Sequence, residues 1–314
     1  MSTKRRKPIQ SSTRELWREG RRTRGYSFTD FLHGYVYARW PYLYIGLATG
    51  ERRLPAILRP FVRLAERLFL RAGDRRDPAA TKRRFADRYH GKVVPTDAAE
   101  QLVLLDAPIE LRDLEQIIPY ATARDIVMSE PDHIVALECP CRSVRENPCL
   151  PLDVCLIVGE PFAGFVAEHH PKKARWITQQ EAVEILRAEH DRGHVHHAFF
   201  KDAMLQRFYA ICNCCSCCCG AMQAWRNGTP MLASSGYVCS VDKDPCVGCG
   251  ACAEACPFGA LSMQDGVPTI DEGACMGCGV CVAKCPHGAL SLVRDPKKSE
   301  PLRIHDLLPT KPAP

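Results

Sequence analysis

Two copies of one cysteine pattern constrain this chain more than any other feature: CVGCGACAEACP, from Cys246 to Pro257, and CMGCGVCVAKCP, from Cys275 to Pro286. Each reads C-x2-C-x2-C-x3-C-P, so three thiolates on one tight loop cap one face of an iron-sulfur cube and the fourth is displaced onto the neighbouring cluster. On that rule Cys246, Cys249, Cys252 and Cys285 hold one 4Fe-4S cluster, and Cys275, Cys278, Cys281 and Cys256 hold the other. The copies lie 29 residues apart, and PFGALSM after Cys256 matches PHGALSL after Cys285. Such a repeat predicts two half-domains related by a pseudo-twofold axis. Gly248, Gly250, Gly277 and Gly279 let the backbone turn tightly enough for its N–H groups to approach the sulfurs. Structural zinc sites use a different pattern, two separated C-x2-C knuckles.

Residues 241–293, with these runs, resemble bacterial two-cluster ferredoxins. The resemblance implies electron transfer and covers about a sixth of the chain.

The whole chain has 314 residues, room for two or three domains with their own cores. Nineteen cysteines is a high and odd count, and eleven lie outside the repeat. Disulfides cannot pair an odd number completely, and the basic N-terminus is not followed by the apolar core of a secretory signal. The expectation is reduced metal ligands in the cytoplasm. No apolar run reaches the ~18 residues of a membrane span. The net charge of +6 hides an asymmetry: residues 1–92 carry 23 Lys and Arg against 8 Asp and Glu, a balance of +15, which leaves −9 for the remainder.

Residues 1–25 are polar and basic, expected to stay disordered until a partner or surface is present. Eight aromatic residues then fall between Tyr26 and Tyr44, a density suited to a membrane interface or to a protein contact built on aromatic anchors. After Pro60, the stripe Phe61, Leu64, Ala65, Leu68 and Ala72 predicts a basic amphipathic helix, of a kind that lies on a membrane or packs on its own protein. Residues 74–92 read as a linker or an exposed helix. Farther on, QLVLLD (101–106) and HIVALE (133–138) read as short buried strands, and LRDLEQII (111–118) and ARDIVMSE (123–130) as helices. Thr178 to Glu181 is a capping-box pattern opening a helix that stops at Gly193. His194 and His196 share a face and allow a metal role or local polar packing.

Two further cysteine groups lie between these elements. ECPCRSVRENPCLPLDVCLIVG contains Cys139, Cys141, Cys149 and Cys155, with Arg142 and Arg145 supplying charge that favours thiolates. Cys149 and Cys155 also allow a reading as buried structural thiols. ICNCCSCCCGAMQAW contains Cys212, Cys214, Cys215, Cys217, Cys218 and Cys219, and neighbouring thiols of an extended chain point to opposite sides, so one segment can feed two centres. Ten thiols suffice for two cubanes with two to spare. Cys239, alone before the repeat, reads as a core thiol. The tail from Pro296 is proline-punctuated and is expected to follow the surface or stay flexible.

The C-x-C-R segment, D-V-C-L, C-N-C-C-x-C-C-C-G and the dicluster repeat together are similar to a family of bacterial multi-cluster ferredoxin-like proteins, over about residues 110–293. Cys139, Cys141, Cys214 and Cys217 are the ligands this resemblance favours.

The expected fold is α+β: a helical basic and aromatic docking region (1–92), a cysteine-rich iron-sulfur domain (93–240), a two-cluster ferredoxin domain (241–295) and a flexible tail (296–314). The expected cofactors are two 4Fe-4S clusters in the ferredoxin domain and one or two further iron-sulfur clusters. The expected function is passage of single low-potential electrons, by an electron-transfer protein or an oxidoreductase subunit more than a stand-alone enzyme. An alternative is an oxidoreductase whose Cys139–Cys219 region forms a substrate-binding cluster, and a third class is a redox or metal sensor. The partner expected is a redox protein, a flavoprotein or oxidoreductase subunit, with a peripheral contact to the inner face of the membrane through residues 1–72 as a further expectation. No nucleotide-binding or nucleic-acid-recognition motif appears.

Overall fold

The computed structural model describes residues 9–52 and 77–308. The start of the basic arm (1–8), the stripe from Phe61 to Ala72 and the last residues (309–314) lie outside them.

The strands among the described residues are β1 (Tyr89–Val93), β2 (Ile109–Leu111), β3 (Ile126–Met128), β4 (Ile134–Leu137), β5 (Cys155–Val158), β6 (Ala174–Ile177), β7 (Val195–Lys201), β8 (Arg207–Cys214), β9 (Leu232–Ala233), β10 (Tyr237–Val241), β11 (Leu261–Gln264), β12 (Val267–Ile270) and β13 (Leu290–Arg294). Seven form one sheet in the order β6-β4-β5-β8-β7-β1-β9. Its pairs are antiparallel except β1 with β9. The central strands are buried on both faces, so the polar residues His196, His197, Lys201, Arg207 and Asn213 of VHHAFFK and RFYAICNC lie inside with the apolar ones. One face carries Val135, Leu137, Ile157, Phe199 and Leu232 against helices that include Phe162–His169. The other carries Ile134, Ala136, Leu156, Phe200 and Phe208 against Thr96–Val103 and Gln179–Asp191. This is an α+β chain.

Local signals held where a cap or a strand centre set the structure. HIVALE contains β4, and Thr178 Oγ1 accepts the Glu181 N–H at 3.1 Å at the start of the helix Gln179–Asp191. Between residues 96 and 130 the sequence reading was wrong. QLVLLD is not a strand: its first half closes the helix Thr96–Val103, whose buried residues Ala98, Ala99, Leu102 and Val103 follow a helical spacing that begins upstream of that window. LRDLEQII and ARDIVMSE are not helices. Leu111 ends β2 and Ile126 opens β3, paired antiparallel, while Ile117 and Ile118 are buried from an irregular loop. Their apolar spacing records burial rather than a helical face.

The N-terminal segment is ordered where it is described. Helix α1 (Ser11–Arg22) buries Leu16, its Ser12 N–H donates to Glu168 at 2.9 Å, and Thr13 Oγ1 lies 3.0 Å from His169 Nε2. Trp17 adds ring contacts to Phe28 at 5.7 Å and Phe31 at 4.8 Å, so the helix is packed although the average composition pointed to disorder. Arg14, Arg18, Arg21 and Arg22 stay exposed. Helices α2 (Phe28–Arg39) and α3 (Pro41–Ala48) turn most of the aromatic run inward. Tyr26 Oη donates to the Ala203 carbonyl at 2.7 Å, Tyr37 and Tyr209 hydroxyls lie 2.8 Å apart, and Tyr42 Oη donates to the Glu138 carbonyl at 3.1 Å. Gly34 is required here, since a Cβ would stand 2.0 Å from the Ala203 carbonyl oxygen. Phe28 and Trp40 remain exposed.

A boundary at residue 92 would cut β1, so the sheet begins earlier than the sequence suggested. The tail also differs from expectation: Leu302 and Ile304 are buried, and Lys92 Nζ donates to Ser299 Oγ at 2.9 Å and to the Glu300 carbonyl at 2.7 Å. Among the described residues no helix is long and apolar enough to cross a membrane.

Candidate metal centres

The two cysteine runs share one backbone conformation. Gly250 and Gly279 precede the short helices Ala251–Ala255 and Val280–Ala283 with φ 79° and 81°, a left-handed geometry open to glycine. The N–H groups of Ala260 and Ala289 each donate to a sulfur, Cys256 Sγ and Cys285 Sγ, at 3.3 Å. A Cβ at Gly248 would stand 2.3 Å from the Gly266 carbonyl oxygen, and one at Gly277 would stand 2.3 Å from that of Tyr237. Cys246, Cys249, Cys252 and Cys285 line one small cavity, so the fourth thiol of the second run faces the first three of the first. Cys278 is within electrostatic reach of Cys281, Cys256 and Cys275. Thiol donors, N–H···S contacts and tight glycine loops fit 4Fe-4S clusters, which supply one-electron storage when bound.

Cys239 is not isolated. Its N–H donates to Cys275 Sγ at 3.4 Å, and its thiol contact with Cys281 holds the latter below the ordinary thiol range against burial. Strand β10, which carries it, pairs with β13. Spacing alone could not reveal this, because the contact is made across the fold.

The ten upstream cysteines fall into two sets. Cys149, Cys215, Cys217 and Cys218 have all four sulfurs within 4.8 Å of one another. The remaining six form a string: Cys212 lies 3.8 Å from Cys155, which contacts Cys139, which contacts Cys141, which contacts Cys219, which lies 3.2 Å from Cys214. Register explains the string. Cys155 and Cys212 face each other across β5 and β8, Cys214 is two residues on, and Cys139 and Cys141 follow the end of β4 at the start of the short helix Pro140–Ser143. After Cys214 the strand gives way to a turn closed by Cys219 N–H to the Cys215 carbonyl at 3.2 Å, which sends Cys215, Cys217 and Cys218 toward Cys149. Of the four thiols favoured by resemblance, Cys139, Cys141 and Cys214 lie in the string and Cys217 does not. Cys149 and Cys155 part into different sets.

Contact with Cys141, and then burial, push the Cys139 thiol up to about 12. The Cys139 thiol therefore stays protonated unless a metal supplies the compensating charge. Arg142 brings fixed charge to the same place. It is 1% exposed and donates to the Pro151 carbonyl at 2.6 Å, to the Asn213 carbonyl at 2.9 Å and to the Glu189 carboxylate. Burial works to raise Glu189, but hydrogen bonds from His194 and Arg142 outweigh it and hold the carboxyl below its ordinary range. His194 and His196 are thus in local polar packing, His196 Nδ1 lying 2.6 Å from Asn213 Oδ1. Glu189 and Asn213 escaped sequence reasoning, and Glu189 at a core-facing helix position was the available signal.

A cavity of about 630 Å³ opens from the six-thiol string and runs under α2 and α3. Cys139, Cys141, Cys155, Cys212, Cys214 and Cys219 line it together with Cys215, Arg142 and Asn213, and the rest of the lining is apolar residues with His33, Tyr37, Tyr44, Tyr89 and Tyr209. His33 Nε2 lies 2.9 Å from Tyr44 Oη, burial lowers its pKa to about 4, and its Nδ1 has no hydrogen-bond partner among the described residues. Behind the tyrosines, burial lowers Lys201 to about 8, and its ammonium sits 4.3 Å from the Tyr89 ring centre.

Residues 245–289 match the family model described as a 4Fe-4S dicluster domain. An uncharacterized ferredoxin of Methanocaldococcus jannaschii is 60% identical over 30 residues, which are 10% of this chain and 18% of that protein. The match thus spans less than a fifth of the relative. Residues 245–289 are a 4Fe-4S dicluster domain set within a larger, cysteine-rich α+β chain.

Proposed function

We propose that this chain passes single low-potential electrons through several iron-sulfur clusters, as a cytoplasmic electron-transfer protein or redox-complex subunit. In this reading Cys246, Cys249, Cys252 and Cys285 hold one cluster, Cys275, Cys278, Cys281 and Cys256 the second, and the upstream thiols one or two further centres. The observation that carries it is the continuity of packing between the two thiol-rich halves. Phe258, Met276, Cys278 and Val280 belong to the same packed core as Cys139, Cys155, Cys214 and Cys219. Trp225, six residues past Cys219, meets the Phe258 ring edge-on at 5.2 Å, and Phe258 is two residues past Cys256. His190 lies beside Gly279 and 5.8 Å from the His196 ring, which reaches Asn213 between Cys212 and Cys214. The residues' task is to hold the centres close and to tune them through N–H···S contacts, fixed charge and exclusion of water.

Anaerobic reconstitution of the intact chain, with iron and sulfide counts and EPR of the reduced form, tests this. The expected result is more than the roughly eight irons that two cubanes hold, with spectra of interacting centres. Eight irons and no further metal would leave only the dicluster domain. The exposed arginines of α1 support docking on an acidic redox partner, so electron delivery should weaken as salt screens charges beyond ~10 Å at 0.1 M.

The cavity favours a second reading, an oxidoreductase that binds an apolar substrate against the six-thiol string, since ligand pockets commonly enclose about 300–1,000 Å³. Ala221 and Ala224 line the cavity near the thiols. In that case Ala224→Phe should weaken substrate-dependent oxidation of the reduced protein at least tenfold while sparing transfer to a redox dye. Equal loss of both activities would count against a substrate there.

A further inference from the structure

We propose, building on the reading that the upstream thiols are metal ligands, that Cys149, Cys215, Cys217 and Cys218 bind a single tetrahedral metal ion, zinc or mononuclear iron, separate from the centre served by the six-thiol string. Four thiolates sharing one ion at a metal–sulfur distance of about 2.3 Å stand roughly 3.8 Å from one another. Thiolates on a cubane stand on four different irons and are spread farther apart. Here all four sulfurs lie within 4.8 Å of one another, with Cys217 3.1 Å from Cys149 and 3.6 Å from Cys218. Among the described residues no other group of three or more His, Cys, Asp or Glu donors crowds together in this way, and that includes the thiols of the dicluster domain. One protein therefore contains both geometries, and this set has the compact one. Soft sulfur donors in a tetrahedron select zinc or iron over hard cations.

The surroundings suit the charge of such a site. Four thiolates around a divalent ion leave two negative charges, and two arginines approach the turn that carries three of them. Arg145 donates to the Cys218 carbonyl at 3.0 Å and Arg226 to the Ser216 carbonyl. Arg145 is itself paired with Glu51, which ties the site to the chain three residues past the end of α3.

The test uses the intact chain, reconstituted anaerobically with iron, sulfide and zinc, with metals and acid-labile sulfide counted for the wild type, Cys217→Ser and Cys139→Ser. Cys217 is exposed, so its replacement leaves the core intact. Cys217→Ser is expected to lose one metal ion and no sulfide, whereas Cys139→Ser loses iron and sulfide together. Cobalt loaded in place of the ion should show tetrahedral tetrathiolate bands in the wild type and not in Cys217→Ser. Zinc at the site makes it a structural pin and iron makes it a one-electron centre, and either supports the assignment. Loss of about four irons with matching sulfide from Cys217→Ser would place a cubane there and overturn it, leaving the broader reading intact. A Cys149–Cys217 disulfide with no upstream metal would overturn both.

Discussion

Replacing Cys285 with alanine should cost the chain the centre built on Cys246, Cys249 and Cys252, while the centre on Cys275, Cys278 and Cys281 persists. The reason is spatial: Cys285 lines the same small cavity as the first three thiols, and its own run turns away from it at the end of the helix Val280–Ala283. The Ala289 N–H that donates to Cys285 Sγ would lose its acceptor as well, which removes one of the contacts that tune the centre. About four of the roughly eight irons of this domain should be lost, with EPR of the reduced protein showing one remaining centre without the broadening of a coupled pair. Cys256→Ala should do the reciprocal damage. Loss of the centre on Cys275, Cys278 and Cys281 from the Cys285 variant would sink the crossed arrangement.

Arg142→Ala should be the most destabilising single change outside the cysteines. Arg142 and Glu189 are each about 1% exposed at the side chain, so removing the guanidinium takes one of three partners from a buried carboxylate that keeps His194 at 2.7 Å and Arg192 at 3.1 Å. Breaking a buried pair costs about 3–5 kcal/mol where the remaining charge is left alone, and the two partners that stay with Glu189 put the expected loss at the low end, about 3 kcal/mol of the 5–15 kcal/mol that holds a typical domain. In a chain of this size that corresponds to a fall of roughly 10 °C in the unfolding midpoint. The Asn213 carbonyl would lose a donor at the same time, between the two cysteines that end β8. Thermal unfolding and iron retention should fall together. Arg142→Met with Glu189→Met should recover part of the stability, because no orphan charge remains. A variant that unfolds like the wild type would show that the pair contributes little.

How much of this was legible in the sequence depended on how local each determinant is. The dicluster runs carry their spacing, their glycines and their turns within a dozen residues, so ligands and loop geometry could be read together. The division of the ten upstream thiols could not, because it is decided by β5 pairing with β8 in one register and by the turn after Cys214. Alternation along an extended chain puts Cys212 with Cys214 and Cys215 with Cys217, and it fails at Cys218 and Cys219, where the chain is no longer extended. Helix α1 was missed because Leu16, the Trp17 ring against Phe28 and Phe31, and contacts to Glu168 and His169 order a segment whose composition is otherwise that of a solvated arm. The partners of Cys239 and of Ile304 lie across the fold, beyond any window of sequence.

The route of the chain around the dicluster domain sets how that domain can work. It is entered from β9, with Ser235 hydrogen-bonded to Met276 and Gly277, and it leaves through residues 299–304, which seat Leu302 and Ile304 in the core and hold Lys92 on β1. Strands β1 and β9 are neighbours, so both anchors grip one edge of the same sheet. A carrier that swings on a single tether needs a free hinge, whereas among the described residues this domain is held at both ends. Under the proposed function, donor and acceptor would come to a stationary relay rather than be visited by a swinging carrier.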